Sequence, residues 1–141
     1  MTATDTIIDY FRAMITRDLA RAQLIAAELD KIDRAEYVQG VGAVFVSAVD
    51  TQFEEGVDVR EITKFVKNLR ERFQDGEDID PRLAEAAIRM ALGEEGLLTG
   101  ADPNKILEVE MTIVYAMMNG YSPEALEGWL QETRDLMLEE D

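Results

Sequence analysis

The three prolines of this chain each stand directly behind a residue that can cap a helix: Asp80-Pro81, Asp102-Pro103 and Ser122-Pro123. Proline suits the first turn of a helix, where its missing N–H has no intrahelical partner to lose, and it is excluded from helix interiors and central strands. The Asp or Ser before it offers a side-chain oxygen to the N–H groups left open at the start of the helix. These pairs mark three helix starts, and Asn119-Gly120 ends the second of the three segments they open.

The rest of the chain carries apolar residues at spacings of three and four, the period of one helix face. Residues 1–39 contain neither Gly nor Pro, and Ile7, Ile8, Phe11, Met14, Ile15, Ala22, Ile25, Ala26 and Leu29 form one stripe. This predicts an amphipathic helix from Asp5 to Lys31, unbroken or interrupted near Thr16 to Asp18. On an unbroken helix Asp18 is a carboxylate buried in the apolar face, and at a break it caps the second half instead. From Asp33, residues Tyr37, Val41, Val44, Phe45, Ala48 and Val49 share a face. The β-branched run GVGAVFVSAV raises a strand as the alternative, but no other segment offers that strand a partner, so helix is preferred.

Asp58 and Glu61 have capping-box spacing before the stripe Val59, Ile62, Phe65, Val66, Leu69 and Phe73, which stops at Gly76. After Pro81, residues Leu83, Ala84, Ala87, Ile88, Ala91 and Leu92 face inward until GEEG. After Pro123, Leu126, Trp129, Leu130, Thr133, Leu136 and Met137 form the last apolar face, followed by an acidic fray, EED. The fold class expected is all-α, with six amphipathic helices, or seven if the first breaks, in a compact bundle or a short two-repeat helical stack. A chain of 141 residues is the usual size of one domain, so residues 1–141 are expected to share one core.

The repeat expectation comes from an ungapped match between GVDVREITKFVKNLRERFQDG (56–76) and GADPNKILEVEMTIVYAMMNG (100–120), which share Gly, Asp, Ile and Gly at an offset of 44 residues. That offset fits helix-pair repeats of about 40–47 residues, with pseudo-repeats at 33–76 and 80–120 and a closing helix at 122–138. The alternative is that both segments obey the same start-and-stop rules. Either way, the alignment places Glu110 opposite Val66, a plain core position. Glu110 lies among Ile106, Ile113, Val114 and Met117 on a helix apolar over most of its circumference, so it is a candidate buried carboxylate. Without a partner, burial favours its neutral form, as in a general acid or base. With one, it joins an Arg such as Arg89 or Arg12, or lies at a subunit interface. Met111, Met117 and Met118 read as core filling rather than as an adaptable groove.

The residues the chain lacks narrow its chemistry. It contains no Cys and no His, which removes thiolate and imidazole nucleophiles, bases and metal ligands. The acidic connectors fail the calcium-loop register, because Glu55 occupies the glycine position when Asp50 is placed first. No phosphate-binding glycine loop or dinucleotide fingerprint occurs. No catalytic residue, cofactor-binding residue or metal ligand is assigned, and no cofactor is expected.

Thirty acidic side chains against 14 basic give a net charge of −16, which opposes nucleic acid and anionic membranes and favours a basic protein partner. No signal peptide or membrane span is expected, and the cytoplasm is the expected compartment. One segment reverses the sign: Arg60, Lys64 and Lys67 form an exposed basic stripe, a receptor for an acidic segment, an anion or the acidic end of another copy, unless Glu61 and Glu71 neutralise it. The functional expectation is a non-enzymatic, acidic helical protein-interaction module of adaptor or regulatory type, including a homodimer as one form. The alternatives are an acidic inhibitor or immunity-type protein that binds a basic nucleic-acid-handling enzyme, and a small-ligand binder or carboxylate-based enzyme with a pocket at Glu110 that includes Tyr115 or Asp18.

Overall fold

A computed structural model describes residues 2–54, 56–72 and 79–139, and in it the first amphipathic stretch is two helices. The described residues form α1 (Ala3–Ile15), α2 (Leu19–Leu29), α3 (Arg34–Gln52), α4 (Val59–Arg72), α5 (Pro81–Ala91), α6 (Pro103–Met118) and α7 (Pro123–Glu139), with no strand among them. The β-branched run of α3 is helical. Phe73 and the Gly76 stop lie outside the described residues, as do Glu55, Glu77, Asp78, Glu140 and Asp141.

All three proline-marked starts are capped by the residue before the proline. Asp80 accepts the N–H groups of Arg82 at 2.9 Å and Leu83 at 3.3 Å, Asp102 accepts that of Asn104 at 2.9 Å, and the Ser122 hydroxyl accepts that of Ala125 at 3.1 Å. The full capping box is elsewhere, at the start of α1, where the Thr2 hydroxyl accepts the Asp5 N–H and the Asp5 carboxylate accepts the Thr2 N–H. At α4 the sequence expectation is corrected. Asp58 accepts the Arg60 N–H at 2.9 Å and also binds the Arg60 guanidinium, so its reciprocal partner is Arg60 and not Glu61.

The break between α1 and α2 uses a residue rarely found in such a position. Arg17 has φ +62°, the left-handed region, and its N–H donates to Met14 C=O while the Asp18 N–H donates to Ala13 C=O at 2.8 Å. This is the bonding of a helix-ending motif that normally uses glycine. It also corrects one site residue: Asp18 is exposed rather than buried, because the break puts it at the N-cap of α2, where its carboxylate accepts the Arg21 N–H at 3.2 Å. The substitution Arg17→Gly relieves the left-handed strain and is expected to stabilise the protein by about 0.5–1 kcal/mol, read by thermal or urea unfolding. Unchanged or lower stability would show that the Arg17 side chain contributes more than its backbone costs.

The helices divide into two compact units, one made of Met1–Val44 and Met118–Asp141, the other of Phe45–Met117. In the first, α1 packs against α2 and α7. Its buried residues include Ile7, Ile8, Phe11, Val41, Val44, Leu126, Trp129, Leu130 and Met137. Arg12 of α1 pairs with Glu127 of α7 at 2.6 Å, and Asp5 pairs with Arg134 at 2.6 Å. The lower number on α1 meets the higher on α7, so the two helices run antiparallel. The Arg134 guanidinium holds Asp5 below the usual carboxylate range, helped by the Thr2 hydroxyl. In this unit one inward assignment fails: Leu136 is 53% exposed, whereas the other five residues of the α7 stripe are buried.

In the second unit α4 packs on α5, and the core includes Phe45, Val49, Ile62, Val66, Ala84, Ile88, Ile113 and Val114. Phe53 and Phe65 meet edge to face with ring centroids 5.3 Å apart. The end of α5 is a glycine-terminated motif: Gly93 has φ +111° and its N–H donates to Met90 C=O, while the Glu94 N–H donates to Arg89 C=O at 3.1 Å.

Candidate functional site

Glu110 sits on α6 one turn after Ile106 and Leu107 and one turn before Ile113 and Val114. Leu107, Ile113 and Val114 are buried, so the carboxyl of this residue is drawn toward apolar neighbours and is itself half-buried. It makes no hydrogen bond or ion pair with any described residue. Burial alone therefore acts on it and pushes its pKa from 4.5 up to about 7. At neutral pH the group is divided between acid and carboxylate.

The arginines expected to reach it are engaged elsewhere. Arg89 pairs with Glu94 at 2.5 Å, and Arg12 is held by Asp9 and Glu127. The residues named as pocket companions do not join it either. Asp18 serves as the α2 cap, and Tyr115, five residues on, lies about 140° around the helix from Glu110. Neither of the two principal grooves described next includes Glu110. Among the described residues, Glu110 is a half-buried carboxyl with no hydrogen-bonding or ion-pairing group beside it. Among the described residues no three Asp or Glu side chains group as metal ligands. Met117 and Met118 are buried as core residues.

One groove belongs to the first unit, about 270 Å³, between the start of α1 (Thr2, Ile7), α3 (Glu36, Gln39, Gly40) and Met137 of α7. The other, about 580 Å³, belongs to the second unit and runs between residues 52–54, 56 and 57 and one side of α4. Its lining contains Phe53 and Phe65, the amides of Gln52 and Asn68, and Lys64.

The basic stripe of α4 borders this second groove. Arg60, Lys64 and Lys67 are all exposed and fall on one face of the helix. Arg60 is tied to Asp58 at 2.9 Å, which keeps that carboxylate below its ordinary range. Lys64 and Lys67 form no ion pair with any described residue, and Glu61 and Glu71 do not neutralise them. Helix α4 carries Arg60, Lys64, Lys67, Arg70 and Arg72 against Glu61 and Glu71, a net +3 within a chain of −16.

The chain matches no family model, no curated protein and no solved structure. Function therefore has to be argued from these surfaces.

The strongest acidic face is on α7, and the sequence reading missed it. This helix carries Glu124, Glu127, Glu132, Asp135 and Glu139 against Arg134 alone, a net −4. Glu127 and Arg134 are turned to α1 by their ion pairs. Glu132, Asp135, Leu136 and Glu139 remain exposed at spacings that place them on one face, three carboxylates around an uncovered leucine. The signal was present in the spacing: Leu136 lies at the edge of the apolar stripe, beside positions occupied by acids.

Proposed function

We propose that this chain is a non-enzymatic interaction module that presents the acidic outer face of α7 to a basic protein partner. The observation that carries the reading is the exposed set Glu132, Asp135, Leu136 and Glu139. Interfaces combine a desolvated apolar anchor with a charged rim that steers and orients the partner, and Leu136 within its carboxylates has that composition. Neither of the two grooves described above is lined by Glu110, so the reading rests on the surface of α7. No helix among the described residues is long and apolar enough to cross a membrane. The reading places the module in the cytoplasm, acting as an adaptor or regulator, with a homodimer as its self-associated form.

The test is capture of cell proteins on the immobilised chain at about 0.15 M salt, compared with a variant carrying Glu132→Gln, Asp135→Gln, Leu136→Ala and Glu139→Gln. A partner retained by the natural chain and lost at least about tenfold by the variant is expected. Equal capture by both, or none by either, overturns the reading. A captured enzyme that handles nucleic acid, with binding that falls steeply with salt, selects the inhibitor form of the same module.

A further inference from the structure

We infer that the cationic stripe of α4 and its adjoining groove are a receptor for the acidic face of α7 from a second copy of the chain. The inference rests on the reading of α7 as a contact face and adds what that face meets in self-association. Three observations lead to it.

The first is charge complementarity. Helix α4 carries +3 and α7 carries −4, the two extremes among the seven helices. Lys64 and Lys67 project from α4 one turn apart with no ion pair to any described residue, and Glu132 and Asp135 project from α7 at the same spacing. Glu132 and Glu139 have no ion-pair partner among the described residues. Asp135 holds only the Gln131 amide at 3.0 Å and, more distantly, Arg134 at 4.0 Å. Two helices laid side by side can join such faces through parallel ion pairs.

The second is apolar fit. Leu136, 53% exposed, stands among the α7 acids. The groove beside Lys64 is floored by the Phe53 and Phe65 pair, and Phe65 is half-buried rather than covered. At about 580 Å³ it admits a leucine side chain together with part of a helix turn. Burial of Leu136 against Phe65 gives the contact a dry centre, which paired charges alone do not provide.

The third is direction. Glu54 and Glu61 also line the groove, Glu61 one turn before Lys64 on α4. An acidic helix is repelled there and accepted along Lys64 and Lys67, so the charges fix which side it enters. Two copies of charge −16 repel at long range, but at physiological salt the screening length is about 8 Å. The global repulsion is then largely screened, while ion pairs in contact survive. Association is accordingly expected to be weaker at low salt than at about 0.15 M.

The experiment is sedimentation equilibrium of the full chain over a wide concentration range at about 0.15 M salt. The natural chain is expected to show a mass that rises with concentration above that of one chain. The variant Lys64→Glu/Lys67→Glu is expected to raise the dissociation constant at least about tenfold, and so is Glu132→Lys/Asp135→Lys. An equimolar mixture of the two variants is expected to associate again, because each acidic α4 then meets a basic α7. All four positions are exposed, and thermal melts of the variants check that each remains folded. A natural chain that stays monomeric overturns the inference, as does association that the lysine substitutions leave unchanged, or a mixture that fails to associate. A monomeric chain that still captures a basic protein through α7 separates this failure from that of the interaction-module reading.

Discussion

Replacing Glu110 by Leu is expected to stabilise the protein by about 2 kcal/mol at pH 8 and by about half as much at pH 5.5. The folded carboxyl titrates at about 7 against 4.5 for an unperturbed one. Between those values the folded state holds a proton that the unfolded state has released. Stability therefore falls as pH rises from 4.5 to about 7, and above 7 the cost is constant. A shift of this size corresponds to at most about 3 kcal/mol, and partial access of water to a half-buried group reduces it to about 2. Other carboxylates contribute to the pH dependence of the whole protein, but they do so equally in the natural chain and the variant, so the difference between them isolates Glu110. Urea unfolding of both proteins at the two pH values reads it. Glu110→Gln, which keeps the shape and removes the ionisation, should reproduce the pH-dependent part of the gain without the added apolar contact. A gain of the same size at both pH values would mean that apolar packing, and not ionisation, produces the effect, and the raised pKa would then be wrong.

The burial of Glu110 was legible in the sequence because α6 is apolar over most of its circumference and the aligned position on α4 is Val66, which is buried. That no described residue pairs with it was not legible. Arg89 and Arg12 were plausible partners on charge alone, and what removes them is local geometry. Arg89 is drawn to Glu94 by the turn that ends α5, and Arg12 to Glu127 by the antiparallel packing of α1 and α7. A single sequence gives neither the turn geometry nor the packing direction.

The helix boundaries divide in the same way. Pro81, Pro103 and Pro123 carry their boundary in the covalent structure of the residue, and all three helices begin where the prolines place them. Arg17 carries nothing of the kind. Its left-handed backbone ends α1 with bonds any residue could make, so periodicity ran across the break and left Asp18 undecided between core and cap. Leu136 shows the same limit for side chains. Apolar character assigned it inward, but α7 buries the stripe defined by Leu126, Trp129, Leu130, Thr133 and Met137. Leu136 falls on the flank with Glu132 and Asp135, where the proposed contact face lies.

Gly40 and Ile7 together carry the largest predicted losses of stability. Gly40 is buried on α3, and a Cβ placed there would overlap Ile7 Cδ1 of α1 and approach Met137 Cε of α7 at 3.5 Å. The glycine thus lets three helices of the first unit approach at one point. The atom such a Cβ meets is the far end of the Ile7 side chain, which also lines the first-unit groove, so Ile7 can give way only by leaving its packed rotamer and turning toward that groove. Gly40→Val should therefore cost about 2 kcal/mol, despite the better helix propensity of the new residue, because close-packed interiors answer added volume with strained rotamers and displaced side chains. For a chain of this length that lowers the melting temperature by about 4–8 °C. Ile7→Ala alone should cost about 2–4 kcal/mol through the cavity it leaves. In the double variant the valine methyls occupy that cavity, so the combined loss should fall short of the sum of the two by at least about 1 kcal/mol. Strict additivity of the two losses would show that Gly40 is not held small by Ile7, and the close approach of α3 to α1 would have to be abandoned.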